Sequence, residues 1–271
     1  MGKGRVWAAA TAALLAIATA SPVASAASYE LSATAKAAFD KMAANAGGTL
    51  QQKLTAQYGE LLSLQRQERS LEEAVKTLQK SNDEALSDVR ARIKQIDAAK
   101  LEKLKQEADR TKERYKPLLE QYTALNKRLE AARAMKSKEL SALLRLQADA
   151  MKPAVQLAKL DIQAKDNALQ TAKRSVSDKQ KAIRGTLAGI EPLEAKIRAE
   201  RDAESAQKKQ AAADWKSFPP HVKQADARAA ANTLEALVAR YRQMVDRKEA
   251  IRGLETQISS VIAKAKEQIP G

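Results

Sequence analysis

Catalysis by this chain would have to be built almost entirely from carboxylates and amines. His221 is its single histidine and it contains no cysteine. That excludes thiolate nucleophiles, thiolate metal sites and disulfides, and any His-pair metal site or His-based relay within one chain. His221 follows Pro220 at an expected helix start, where capping or surface exposure suits it better than ligation. Acidic pairs such as Glu72/Glu73 and Asp83/Glu84 are adjacent and diverge around a helix, whereas acid–base work needs a pocket that lifts one pKa. Gly185-Thr186-Leu187-Ala188-Gly189 has too short a spacing for a phosphate-cradling loop and no lysine after it. No catalytic residue, cofactor or metal is expected, and the chain reads as non-enzymatic.

Two other groups of residues could carry a function through contact. Trp215, Phe218, Pro219 and Pro220 place two large rings in a proline-stiffened stretch. They form a candidate partner loop that could enter a groove or membrane interface. The competing and favoured role is a plug that closes the end of a bundle. The second group is basic: Arg90, Arg92, Lys94, Lys100, Lys103, Lys105, Arg110, Lys112, Arg114 and Lys116. Residues 90–139 hold 15 basic and 8 acidic side chains, against 7 and 9 in residues 27–89. The interspersed acids can pair at i,i+3 and i,i+4, which makes a solvated helix face the default. Unpaired cations along a rod would attract polyanions with strong salt dependence. Teichoic-acid-like wall polymers and anionic lipid headgroups are the candidate ligands. Nucleic acid is disfavoured, because stacking aromatics and a recognisable binding module are missing.

The elements that must position these residues follow from the apolar spacing. Leu101, Leu104, Ala108, Thr111, Tyr115, Leu118, Tyr122, Leu125, Leu129 and Ala132 alternate steps of three and four. Val155, Ile162, Leu169, Val176, Ile183, Ile190 and Ile197 recur every seven residues, as do Leu237, Met244, Ile251, Ile258 and Ala265. Such narrow seams need cover from another helix. With few glycines and only 9 aromatics, the expectation is an all-α, elongated antiparallel bundle or coiled coil of long helices, without an aromatic-rich core. The seams close within the chain, or by self-association or a protein partner.

Residues 1–26 read as a secretory signal cleaved near Ala26, with Lys3 and Arg5 before an apolar run and Ala24-Ser25-Ala26 at the cleavage site. An Ala-rich helix and a Gly47-Gly48 linker fill residues 27–48, and Thr49 with Gln52 offers a capping box for the next helix. Long helices occupy 49–214, with kinks near Pro117, Pro153 and Pro192. Pro153 is the best candidate for the start of a new helix, and Ser81-Asn82-Asp83-Glu84 is either a solvated face or a turn. The aromatic loop spans 215–221, and an amphipathic helix fills 222–271. A signal followed by heptads resembles secreted bacterial coiled-coil proteins, including the helical regulatory halves of some cell-wall hydrolases. That resemblance implies an extracytoplasmic scaffold or spacer; with no hydrolase domain after the helices, it implies no activity. The alternative is a binding module for anionic wall polymer or membrane surface.

Overall fold

The computed structural model describes residues 29–270, all of whose regular structure is helical. The signal segment lies outside them. Six helices follow one another: α1 (Ala33–Ala46), α2 (Gly48–Gln95), α3 (Ala98–Ala134), α4 (Lys138–Leu187), α5 (Ile190–Lys223) and α6 (Ala227–Glu267).

Their directions follow from the pairs that join them. Between the first and second halves of the chain, Tyr58 stacks on Phe218, Gln79 accepts from Arg201, Asp97 pairs with Lys179 and Glu107 with Lys165. One partner's number rises as the other's falls, so α2–α3 and α4–α5 are two antiparallel rods. Helix α6 runs with α2, because Lys53 meets Glu235, Glu60 meets Arg242 and Asn82 meets Glu255. It runs against α5, where Arg247 meets Glu200 and Arg240 meets Asp214. The protein is therefore a three-helix bundle of α2, α5 and α6, capped by α1, from which α3 and α4 project as a two-helix arm.

Chain breaks are made in two ways. Gly47 and Gly48 both have left-handed φ, 62° and 51°, a region open to glycine, and Gly47 is the N-cap of α2. Thr49 lies inside the helix, so the expected Thr49/Gln52 capping box is not used. The two reversals use no glycine. At the arm tip Ser137 N–H donates to Ala132 O and Lys136 N–H to Arg133 O, with Lys136 at φ 57°. At the α5–α6 turn Asp226 N–H donates to His221 O and Ala225 N–H to Val222 O, with Ala225 at φ 57°. Both are Schellman closures, which normally place glycine at the left-handed residue. Asp226 then caps α6 by accepting from Ala229 N–H.

Three prolines behave differently from expectation. Helix α4 passes through Pro153 without interruption, and the reversal lies upstream at residues 135–137. Pro153 is exposed, so the Asp149 carbonyl it leaves unpaired can be hydrated. The 215–221 segment is not a loop: α5 continues through Pro219 and Pro220 to Lys223. The prolines sit in its last turns, where their lost hydrogen bonds to Trp215 O and Lys216 O are outweighed by burial of Phe218, which is 0% exposed. Pro117 also lies within one helix, α3. Pro192 falls in the first turn of α5, where a missing N–H costs nothing. The α4–α5 junction at Ala188 and Gly189 keeps right-handed helical torsions, which makes a bend and not a reversal.

The bundle interior is layered. At one end Tyr29, Phe39, Tyr58, Trp215, Phe218 and Tyr241 pack ring against ring at centroid distances of 5.1–6.4 Å. Six of the nine aromatics are thus concentrated in one core, contrary to the expectation of none. At the other end Val75, Val89, Ile93, Val176, Ile183, Ile190, Ile197, Ile251 and Ile258 form an aliphatic core. Between the two lies a layer of charge.

Candidate functional site

Three heptad-spaced helices bring one charged residue each to the same level of the bundle. Glu68 from α2, Glu204 from α5 and Lys248 from α6 are each 4% exposed. Lys248 Nζ lies 3.1 Å from Glu204 Oε1 and 3.8 Å from Glu68 Oε1, and also contacts Glu72. Lys208 reaches in from the surface to 2.7 Å from Glu204 and 3.1 Å from Glu68. Burial pushes the Glu204 carboxyl up, against the Lys208 hydrogen bond that lowers it. Burial likewise pushes the Lys248 ammonium down, opposed by the Glu68 charge. The carboxylate oxygens of Glu68, Glu72 and Glu204 come within 4.8 Å of one another, close enough to share a metal ion. The two lysine ammoniums already take that place, so the layer is an ion network and does not fit a metal. With a residue from each helix it can hold register, as a buried polar residue does in helix bundles.

A second polar layer lies where Ser81-Asn82-Asp83-Glu84 left a face or a turn open. Asn82 is buried inside a continuous α2 and donates to Glu255 O and Oε2, while Ser259 Oγ donates to Asn82 Oδ1. The cavity beside it, about 190 Å³ and lined by Asn82, Ile190, Ile197 and Glu255, is smaller than the ~300–1,000 Å³ of small-molecule sites.

The predicted partner loop is dispersed into the fold. Phe218 is fully buried between Phe39, Tyr58 and Trp215, and Trp215 is half-buried against Tyr29. Pro219 is half-buried and Pro220 exposed on the last turn of α5. Phe218 has no surface to offer a partner.

Nine of the ten predicted cations are exposed and Arg92 is half-buried. Three are paired: Lys112 with Asp166 at 2.7 Å, Arg114 with Asp161 at 2.7 Å, and Lys116 with Glu113 at 4.0 Å. Arg90, Arg92, Lys94, Lys100, Lys103, Lys105 and Arg110 have no acidic partner within 4.0 Å among the described residues. They do not form one strip. At 3.6 residues per turn, Lys103, Arg110 and Arg114 fall on one shoulder of the α3 seam and Lys105, Lys112 and Lys116 on the other. Glu102, Asp109, Glu113 and Glu120 share the face pointing away from α4. Arg90 and Lys94 do meet other cations. With Arg184 and Arg198 they surround a groove at the α4–α5 bend whose floor is Ile93, Leu187 and Ile190 and whose rim also carries Glu191 and Glu194. This convergence across helices was not legible in the linear charge count.

The junction between bundle and arm is braced. Helix α2 ends at Gln95 and Asp97 adopts φ 53°, which leaves carbonyls of the last α2 turn without helical partners. Gln180 Nε2 donates to Ile93 O at 3.0 Å and Lys179 to Asp97 Oδ2 at 2.8 Å. The Lys179 hydrogen bond holds the Asp97 carboxyl below its ordinary range. Along the arm, Tyr115 Oη and Arg114 both donate to Asp161. Among the described residues, no helix is long and apolar enough to cross a membrane.

The arm also carries what sequence reasoning missed. Helix α4 buries Ala148, Val155 and Ala158 against α3, yet leaves Leu143, Leu146, Leu157 and Leu160 54–70% exposed on its opposite side. The signal was in the spacing of these leucines, hidden by the stronger ladder of Val155, Ile162 and Leu169 on the same helix. Compared with protein families, curated proteins and solved structures, the chain matches none.

Proposed function

We propose that this protein is a non-enzymatic spacer or scaffold of the bacterial cell envelope, acting through helix-to-helix packing. The observation that carries this reading is the division of labour in the fold. A bundle with two apolar cores and a charged layer gives a rigid base, and a bare two-helix arm extends it. Residues 48–134 in one direction make a rod of ~130 Å at 1.5 Å per residue. The buried charges Glu68, Glu204 and Lys248 pair within their own layer, and the cavity beside Asn82 is smaller than a small-molecule site. The signal-like start supports placement outside the cytoplasm. Cell fractionation with mass spectrometry tests that placement: the reading expects an extracytoplasmic chain beginning at Ala27. An uncleaved chain in the cytoplasm would defeat it. Deletion of matched seven-residue blocks from α3 and α4 tests the spacer role, because shortening the arm in register should preserve folding while abolishing the envelope phenotype of the intact protein.

The groove formed by Arg90, Lys94, Arg184 and Arg198 favours a second reading, in which the protein binds anionic wall polymer or membrane surface. Sedimentation with purified walls or anionic vesicles at low and high salt decides it. Salt-reversible binding lost in an Arg90→Ala/Lys94→Ala/Arg184→Ala/Arg198→Ala variant supports this reading, and absence of binding at low salt removes it.

A further inference from the structure

The large apolar side chains left exposed among the described residues are Met135, Leu140, Leu143, Leu146, Leu157 and Leu160. All lie within one stretch of the arm. Four of these leucines form a single stripe with exposed Ala150 and Pro153: Leu143, Leu146, Ala150, Pro153, Leu157, Leu160. The steps are three, four, three, four, three. That alternation keeps the stripe straight along a supercoiling helix, the property of a seam made to receive another helix. The bundle helices lie elsewhere, and α3 covers the other side of α4.

The stripe reads large, large, small, small, large, large from either end. A surface of that kind is complementary to itself under a two-fold rotation. We propose that two copies of this chain pair α4 against α4, antiparallel, about a two-fold axis between Ala150 and Pro153. Leu143 then packs on the partner's Leu160 and Leu146 on the partner's Leu157. The small residues meet at the centre and let the helices approach.

Charge agrees with this occupant. The positions flanking the stripe are Gln147, Ala154 and Asp161 on one side and Asp149, Gln156 and Gln163 on the other. No cation is among them, although Arg145, Lys152 and Lys159 lie on the same helix. In an antiparallel pair each flank faces its own copy, so Gln147 lies nearest the partner's Ala154 and Asp149 nearest the partner's Gln156. No like charges are opposed. Asp149 and Asp161 on these flanks are already paired with Arg145 and Arg114, so the positions beside the leucines offer an anionic bilayer no unpaired cation. An unrelated helix has no need of a pattern that reads alike in both directions.

The contact is modest. Residues 140–163 span ~36 Å of helix, less than a standard interface, so dimerisation is reversible and depends on concentration. It also has a length signature. From the two-fold axis to the far end of α5 is about 70 residues, which gives a dimer of roughly 210 Å against ~130 Å for one chain or for a side-by-side parallel pair.

The test uses the mature chain in sedimentation velocity and small-angle scattering from about 1 to 500 μM, a range set by the small interface. A concentration-dependent dimer of the greater length is expected. A Leu146→Glu/Leu157→Glu variant should stay monomeric with unchanged helicity and melting temperature, since both leucines are exposed in the single chain. Because the protein has no cysteine, single replacements report the register. Ala154→Cys should cross-link through a short bis-maleimide, whereas Lys138→Cys should not. A monomer at every concentration overturns the proposal. So does a dimer that survives the double substitution, a dimer of the shorter length, or cross-linking at Lys138→Cys. Binding of that monomeric protein to anionic vesicles, lost in the double variant, would assign the stripe to lipid instead. The pairing is independent of the envelope reading: its failure leaves the spacer role standing, and cytoplasmic localisation would leave the dimer standing.

Discussion

Replacement of Lys248 by Met probes the charged layer most directly. Lys248, Glu68 and Glu204 are each 4% exposed, and Lys248 is the one buried cation among them. Lys248→Met leaves Glu68 and Glu204 with Lys208 alone, a side chain 45% exposed and 2.7 Å from Glu204, while Glu72 keeps Lys76. Breaking a buried pair by removing one partner costs about 3–5 kcal/mol. The retained Lys208 places the loss at the lower end, about 3 kcal/mol. For a chain of this size that corresponds to a fall of ~6–12 °C in Tm. The pH dependence has a defined sign. Burial already raises Glu204, and loss of the Lys248 ammonium raises it further. A folded-state carboxyl pKa above the unfolded value means that the folded protein binds more protons, so stability falls as pH rises through the folded pKa. The deficit of Lys248→Met should therefore shrink as pH is lowered from 7 towards 5. Replacing both charges, as in Lys248→Met/Glu204→Leu, should recover most of the loss, because Glu68 keeps Lys208 as its partner and the two replaced groups no longer carry a desolvation cost. Urea unfolding by circular dichroism at pH 5 and 7 reads all three proteins. A single variant within 1 kcal/mol of the parent, or a deficit equal at both pH values, would falsify the argument.

Phe218→Ala should cost about 3–5 kcal/mol, the range for a fully buried phenylalanine. It should also red-shift emission from Trp215, whose ring lies 5.3 Å away; an unshifted spectrum would contradict the packing. Ala225→Gly should stabilise by roughly 0.5–1 kcal/mol, since the left-handed torsion costs alanine 1–2 kcal/mol and glycine only entropy. A lower Tm would show that this turn is not strained. The arm should exchange its amides faster than the bundle, because its seam is one helix deep and contains Ala108, Thr111 and Ala132. Pro117→Ala should slow that exchange by up to the ~3 kcal/mol a helical proline costs, and hydrogen-exchange mass spectrometry checks both.

The helical class and the seams were legible because period and propensity are local properties: Ile183, Ile190 and Ile197 repeat every seven residues whatever covers them. Breaks were legible where they used glycine, as at Gly47-Gly48. They were hidden at Lys136 and Ala225, where ordinary residues take a glycine torsion that only the completed hairpin holds in place. Prolines misled for the converse reason. Pro219 and Pro220 weaken a helix locally, but burial of Phe218 and the adjoining rings outweighs that penalty, and burial is a sum over α1, α2 and α5. Of the candidate site, the cations and the aromatic rings can be picked out along the sequence as residues, but where each lies in the fold cannot.

Composition alone determined what chemistry is absent: no cysteine, one histidine, and therefore no thiolate site and no His-pair metal site. Tertiary structure decided which charges are buried, which rings meet, and which face of α4 remains uncovered. Glu68, Glu204 and Lys248 look like three more surface charges in a sequence with 30% charged residues. They become a single buried layer because the phases of three helices, set by contacts up to 180 residues apart, point them at one another. Helical phase is written in the sequence; the direction and offset of the helix opposite are not.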